Sequence, residues 1–195
     1  MNSDNLNEVL DIIDNFKAGE YTERYVDRFR KLGFTKILDL DEIRQSPEHH
    51  PEGNVGIHTR KVVSYIHKKF FKYLDDDYTK LFLAGLLHDV GKIDTYKNVK
   101  GKISFIGHDK ESVKYAAFIL GKWGFGWMQI EEILYIIENH MRITNFKDMG
   151  EKKRDKFLAD KHFHLLLKFH EADCMGSSGD LTNYKYILDY MKKEN

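Results

Sequence analysis

The chain has little of what cross-links a small fold or interrupts a helix. Cysteine occurs once, as Cys174, and proline occurs twice among 195 residues. A single cysteine excludes a disulfide within the chain and suits a reducing compartment, and scarce proline leaves long helices uninterrupted. Lysine plus arginine equals aspartate plus glutamate, at 31 each. This balance argues against a protein whose main task is to coat nucleic acid.

Long apolar runs are also lacking, since none approaches the ~20 residues that cross a bilayer. The first residues, MNSDNLNEVLDIID, are acidic and amphipathic, whereas a secretory signal is basic and then apolar. Hydrophobic residues make up 42% of the chain and aromatic residues 13%, which is enough for a sizeable core. We therefore expect a cytoplasmic protein with no membrane partner.

The spacing of apolar residues predicts an all-α fold, because they recur every three to four positions through most of the chain. Residues 78–89 are apolar on nearly every face, which is typical of a central helix, and we expect Gly91 to end it with a positive φ. Residues 46–58 hold both prolines and should form a loop. The other predicted helices cover about 6–16, 21–32, 57–74, 109–122, 127–141, 155–172 and 183–193. Residues 93–107 should be a loop with an extended piece at 103–106.

The stretch LLHDVGK, residues 86–92, needs explaining because a buried helix runs straight into a histidine and an aspartate. Both groups are costly to bury without partners. Adjacent helical side chains point about 100° apart, so His88 and Asp89 do not simply bond to each other. A cation at the end of the helix would satisfy both, and the alternative is a hydrogen-bonded surface pair.

Four further residues strengthen the metal hypothesis, since each is placed near the end of a predicted element. His58 opens a helix, His108 follows a glycine, and His140 and Asp173 lie near the ends of helices. With His88 and Asp89 they offer four imidazoles and two carboxylates. This mixture suits two borderline divalent ions such as manganese, iron, nickel or zinc, and magnesium stays a candidate. Two carboxylates against two such ions leave a charge of about +2, which attracts phosphate.

In their order along the chain, the segments HHPEGNVGIHT, LAGLLHDVGK, FIGHDKES, NHMR and EADCMG resemble the HD-domain superfamily of metal-dependent phosphohydrolases. They are most similar to the branch attached to bacterial tRNA nucleotidyltransferases (CCA-adding enzymes) and its stand-alone relatives. The resemblance covers about residues 46–178. It implies a helical bundle around a central metal site, in a domain spanning 46–195, with residues 1–45 as a short N-terminal helical extension. The nucleotidyltransferase signature, a glycine-serine turn before a paired-aspartate strand, is missing, so we expect only hydrolase chemistry.

The resemblance also implies roles for the six residues. His58, His88, Asp89 and Asp173 would hold one ion, and Asp89 would bridge to a second ion held by His108 and His140. A metal-bridged hydroxide would then attack phosphorus and release an alcohol. The implied substrate is a small nucleotide or another phosphoester, or the phosphate at an RNA end.

Other polar residues are candidates for contacts around the substrate. Lys92 and Arg142 are expected to meet a phosphate, as binding and catalytic groups. His50 and Glu52 are expected to line the pocket or to fix their loop, and Asp109 would orient His108 if the turn allows it. We expect structural roles for the remaining histidines, for Cys174 and for the two tryptophans.

Two alternatives to hydrolysis stay open at this point. The same ligand set occurs in HD-fold di-iron oxygenases, and a non-catalytic nucleotide-binding module on this scaffold is also compatible with it. The residues around the HPEG segment and around the GH and HM pairs resemble the hydrolase branch more than the oxygenase branch. The sequence leaves the metal, the number of ions, the exact substrate and the oligomeric state open.

Overall fold

A computed structural model of the chain describes residues 3–16, 23–71 and 76–194. The described part confirms the all-α prediction, because helices dominate it and its one sheet has two short strands. None of the helices in these ranges has the length and apolar character that a membrane crossing requires. The α-helices are α1 (Ser3–Asp14), α2 (Glu23–Lys31), α3 (Val55–Phe70), α4 (Asp76–Leu87), α5 (Lys92–Thr95), α6 (His108–Trp123), α7 (Trp127–Thr144), α8 (Glu151–Leu158), α9 (Phe163–Gly176) and α10 (Thr182–Glu194).

Helix α4 lies at the centre of the bundle, as its apolar sequence predicts. It packs against α1, α3, α7 and α9, and the run from Leu81 to Leu87 is buried throughout. A helix that is apolar on every face is stable only when other helices surround it. The last turn of α4 therefore ends inside the protein, where polar side chains must find partners from other elements.

The N-terminal helices complete the same core rather than a separate one. Phe16, just after α1, packs edge-on against Phe82 of α4, with ring centroids 5.1 Å apart. Phe29 of α2 contacts Trp123 of α6, whose indole N–H donates to the backbone carbonyl of Leu32. Gly33 follows α2 with φ at +93°, which confirms the predicted end of that helix. The division of the chain into an extension and a domain at residue 46 stays a prediction. Tyr21 and Leu74, at the ends of two predicted helices, lie outside the described residues.

The segment predicted as one helix over 155–172 is two helices, α8 and α9. Between them the carboxylate of Asp160 accepts a hydrogen bond from the backbone N–H of His162 at 2.9 Å. Aspartate side chains that bond to the backbone two residues later form turns instead of helix. The apolar spacing continues through the break, and for this reason periodicity alone did not reveal it.

The segment predicted as a loop over 93–107 contains helix α5 and an antiparallel hairpin. Strands β1 (Lys97–Val99) and β2 (Lys102–Ser104) pair with Asn98 opposite Ile103. Lys100 and Gly101 connect the strands with φ of 52° and 84°, as a type I′ turn requires of both central residues. The extended piece therefore lies slightly earlier in the chain than predicted.

Gly91 has a different role from the predicted one, because its φ is −69° and its conformation is right-handed. Any residue can adopt this backbone conformation, so a helix stop with positive φ is excluded. The glycine is needed for close approach. A Cβ atom at this position would lie 2.3 Å from the carbonyl oxygen of His108 and 2.6 Å from the backbone nitrogen of Ser112. The chain after α4 thus crosses directly over the start of α6.

We predict that Gly91→Ala destabilises the protein by about 1–3 kcal/mol, since backbone atoms of α6 must move to admit the methyl group. For a chain of this length the melting temperature should fall by several degrees. Gly121→Ala is the matched control, because Gly121 is an exposed position of α6 with no atom within 4 Å of an added Cβ. Its melting temperature should stay the same or rise slightly. Thermal unfolding followed by circular dichroism compares the two, and equal stability would contradict the proposed close approach.

Candidate metal centre

The six residues predicted as metal ligands come together at one place, each from the end of an element. His58 lies in the first turn of α3, His88 and Asp89 follow α4, and His108 begins α6. His140 lies near the end of α7, and Asp173 lies in the last turn of α9. The four imidazoles and the Asp89 carboxylate are at most 6% exposed. Polar groups buried to this extent require partners.

Three of the histidines are held in the same way by the backbone. Their Nδ1 atoms lie at hydrogen-bonding distance from the carbonyl oxygen three residues earlier: 3.0 Å for His88 to Gly85, 2.9 Å for His108 to Phe105, and 2.6 Å for His140 to Ile137. A carbonyl oxygen only accepts hydrogen bonds, so each Nδ1 carries the proton. Each Nε2 is therefore a lone-pair donor that faces inward.

The fourth histidine, His58, is oriented by a carboxylate instead. The side chain of Asn54 caps α3 by accepting from the backbone N–H of Ile57 at 2.8 Å, and this fixes the first turn. The Nδ1 atom of His58 then lies 3.0 Å from Glu52 Oε1, although off the best hydrogen-bond direction. A carboxylate behind a histidine holds the ring and increases its strength as a ligand.

The inward-facing atoms form two groups. In the first group His58 Nε2 lies 3.2 Å from His88 Nε2 and 2.9 Å from Asp173 Oδ1. In the second group His108 Nε2 lies 3.1 Å from His140 Nε2. Asp89 reaches both groups, with Oδ2 3.3 Å from His88 Nε2 and Oδ1 3.4 Å from His108 Nε2. A single carboxylate thus lies between two sets of ligand atoms.

The donor set fits divalent metal ions. In the second group the neutral imidazoles of His108 and His140 face each other through Nε2 and repel, because both nitrogens present lone pairs and neither carries a proton. Around an ion bound at ~2.1 Å, neighbouring ligand atoms lie about 3.0–3.4 Å apart, and the shortest contacts here fall close to this range. Asp89 Oδ1 is buried without a hydrogen-bond partner. A cation next to it would satisfy the atom and remove the repulsion.

The electrostatics of the first group also favour a cation. Burial lowers the pKa of His58, but the carboxylates of Asp173 and Glu52 outweigh it and raise the pKa to about 9. Burial raises the pKa of Asp173, and its hydrogen bond to His58 more than reverses the effect, so the pKa lies below its ordinary range. The field that holds a proton on His58 would hold a divalent cation in its place.

In the second group, burial lowers the pKa of His140 to about 4, and the nearby His88 adds to the shift. Burial likewise lowers the pKa of His108. Asp89 stays ionised, because His88 and Lys92 overcome the effect of burial and hold its pKa well below the ordinary value. Two neutral imidazoles beside an ionised carboxylate are ready to bind a metal near neutral pH, since no proton has to leave first.

Lys92 lies at the wall of this centre and is 5% exposed. Its ammonium group donates to Asp89 Oδ2 at 2.7 Å and to Gln45 Oε1 at 2.7 Å. An ammonium group has three donors, and these two bonds account for two of them. Gln45 was not singled out from the sequence, because nothing in its local pattern marks it as a neighbour of Lys92.

A cavity of about 440 Å³ opens onto the ligands. Lys92 and His50 line it, and Glu52 lies behind His50 with Oε1 2.8 Å from its Nδ1. Cys174 lines the cavity as a neutral thiol, since burial raises its pKa to about 12. Neither Cys174 nor His49 was expected at the cavity. Sequence analysis also did not single out Met141, Thr144, Asn145 and Ser177, which complete the lining.

The structure does not bring Arg142 to the cavity. It lies two residues after His140 on α7, which turns its side chain by about 200° to the other face of the helix. Its guanidinium group lies 4.1 Å from the centre of the Phe157 ring. The predicted phosphate contact is therefore corrected to a packing contact. Asp109 is not needed to orient His108, because the carbonyl of Phe105 already does so.

A family model described as "HD domain" matches residues 55–163, which is more than half of the chain. The matched segment contains five of the six candidate ligands, and Asp173 lies beyond it. A search of the curated proteins finds no match.

We predict that the two groups of ligands can be separated by mutation. The natural protein should bind two Mn²⁺ ions per chain, and His140→Ala should bind one. Asp89→Ala should bind neither ion tightly, because both groups lose a ligand. His164→Ala is the control, since His164 is an exposed residue of α9. Equilibrium dialysis followed by elemental analysis measures the stoichiometry. Full binding by Asp89→Ala would exclude this centre.

We predict that Glu52→Gln weakens the binding of an ion at the first group of ligands by about 10–100-fold, because the amide no longer supplies a charge behind His58. Glu48→Gln is the matched control, as Glu48 is an exposed residue of the same loop. Calorimetric titration with Mn²⁺ gives the affinities, and circular dichroism confirms that both variants fold. If the two variants bind alike, Glu52 does not support His58.

Proposed function

Because the chain belongs to the HD-domain family, we propose that it is a metal-dependent phosphohydrolase. The observation that carries the proposal is the position of Asp89, whose two oxygens lie 3.3 Å from His88 Nε2 and 3.4 Å from His108 Nε2. A shared carboxylate between two sets of nitrogen donors is the arrangement expected of a two-ion site. We also propose that all six ligands take part.

Bound divalent ions would supply acidified water and would stabilise the charge that develops on phosphoryl oxygens. The backbone of the protein orients the histidines around them. The backbone carbonyls of Gly85, Phe105 and Ile137 keep the Nε2 lone pairs directed inward. Such preorganised groups need no rearrangement during the reaction.

The charges of the site favour an anionic substrate. Asp89 and Asp173 are ligands, and the buried charges of Glu52 and Lys92 cancel each other. With neutral imidazoles, two divalent cations would leave the site at about +2. A positively charged site of this kind attracts a phosphate group but does not attract a neutral molecule of the same shape.

Lys92 is proposed as the substrate contact among the basic residues. Its ammonium group is fixed by Asp89 and Gln45 and lies at the wall of the cavity. A lysine in this position acts as a point charge toward a phosphoryl oxygen. His50, which lines the cavity, is proposed to contact the substrate as a neutral imidazole, since burial lowers its pKa.

The size of the cavity supports a small substrate. A volume of about 440 Å³ lies in the range of sites for small molecules. We propose a nucleotide, or the terminal phosphate of an RNA strand, as the phosphoester. The resemblance to the branch found in CCA-adding enzymes supports the same class and stays part of the proposal.

We predict hydrolysis of phosphoesters in the presence of Mn²⁺, Ni²⁺ or Mg²⁺. A panel of 2′-, 3′- and 5′-nucleotides, 2′,3′-cyclic nucleotides and generic phosphoesters tests it, with phosphate release as the measurement. The His88→Ala, Asp89→Ala double variant should be inactive. Lys92→Met should lose about 10–100-fold in kcat/KM, as expected for one charge-assisted hydrogen bond, and Lys114→Met is a surface control.

The outcomes of this screen separate the competing functions. Bound metal without turnover of any phosphoester would favour a non-catalytic module. Bound iron with oxygen uptake on adding a substrate would favour an oxygenase. Retained hydrolysis in the double variant would show that these residues are not the active site.

A further inference from the structure

A second cavity of about 450 Å³ adjoins the metal cavity. The two cavities share four of their lining residues, namely His49, His50, Lys92 and Met141. A ligand with a phosphate at the metal centre therefore has room to extend past the shared wall into the second cavity.

The second cavity has a more apolar lining than the metal cavity. Its walls include Ile103 from β2, Met141 from α7, and Phe105 and Ile106 from the segment that joins β2 to α6. These side chains offer flat aromatic and aliphatic surfaces. Pockets of this kind bind the apolar part of a ligand, while a few polar groups fix its orientation.

Phe105 connects the second cavity with the metal centre. Its backbone carbonyl accepts the hydrogen bond from His108 Nδ1 at 2.9 Å, and its side chain lines the second cavity. The ammonium group of Lys92 lies 5.2 Å from the centre of the Phe105 ring. The ring is thus placed next to a metal ligand and next to the proposed phosphate contact.

Two apolar side chains at the rim are exposed in the free protein. Ile106 is 86% exposed and Met141 is 42% exposed. Ile106 directly precedes Gly107, whose φ is +83°. A flat group bound between these side chains would remove apolar surface from water on both partners, which favours binding.

We propose that the second cavity binds the base of a nucleotide substrate whose phosphate lies at the metal centre. This inference rests on the proposed function and names its substrate class. A nucleobase has an apolar planar face that fits against Phe105, Ile106 and Met141. Its edge meets the polar rim, where Ser46 and Asp109 supply hydrogen-bonding atoms.

The test compares substrates with and without a base. Metal-loaded protein is assayed with nucleoside 5′-monophosphates and with ribose 5-phosphate, which carries the same phosphate on the same sugar. The natural protein should prefer the nucleotides in kcat/KM. In Ile106→Ser the ratio of kcat/KM for the nucleotide to kcat/KM for ribose 5-phosphate should fall about tenfold. Val99→Ser is the matched control, since Val99 is a 66% exposed residue of the neighbouring hairpin and lies outside the cavity lining.

Binding of adenosine and of uridine, measured by calorimetric titration, supplies a second readout that needs no turnover. Ile106→Ser should weaken this binding, and Val99→Ser should leave it unchanged. If no phosphoester is hydrolysed, the proposed function fails while the nucleoside titration still decides on the cavity. Any one of three results would overturn the inference. The natural protein could show no preference for nucleotides in kcat/KM, or Ile106→Ser could change kcat/KM equally for both substrates. Ile106→Ser could also leave the binding of the nucleosides intact.

Discussion

The structure depends on one constraint, which is that each inward-facing imidazole must turn the same nitrogen to the centre. Backbone carbonyls bind the Nδ1 side of His88, His108 and His140, and Glu52 lies behind the Nδ1 side of His58. Four Nε2 atoms are thereby concentrated in a small buried volume. Such an arrangement is unfavourable by itself, and it becomes favourable when cations accept the lone pairs. The ends of helices suit this purpose because carbonyl groups there are free to accept side-chain hydrogen bonds.

Much of the centre was predictable because its residues follow from local rules. A histidine and an aspartate at the end of an apolar helix need partners, and the remaining ligands lie at other helix ends. The helical periodicity predicted α4 and its central place correctly. The same periodicity failed at Asp160, where one hydrogen bond from a side chain separates α8 from α9. A turn of this kind depends on the direction of one side chain, which spacing does not encode.

The errors at the site have a common origin, since they concern the direction or the distance of groups rather than their identity. Arg142 follows His140 closely in the sequence but lies on the opposite face of α7, against Phe157. Gly91 was interpreted from its conformational freedom, whereas its role is to let two backbones meet. The contact of Gln45 with Lys92 joins residues 47 positions apart. Only the tertiary structure reveals such contacts.

The position of Asp173 has a consequence for how much of the chain forms a working unit. The family match ends at residue 163, yet Asp173 contacts His58 at 2.9 Å from the far end of α9. At the other side, Phe16 and Phe29 cover Phe82 and Trp123 from outside the matched segment. A fragment trimmed to the boundaries of the match would lose the Asp173 carboxylate, a candidate ligand, and would leave aromatic rings uncovered. The contacts that complete the core and the candidate centre therefore extend beyond the recognisable family segment at both ends.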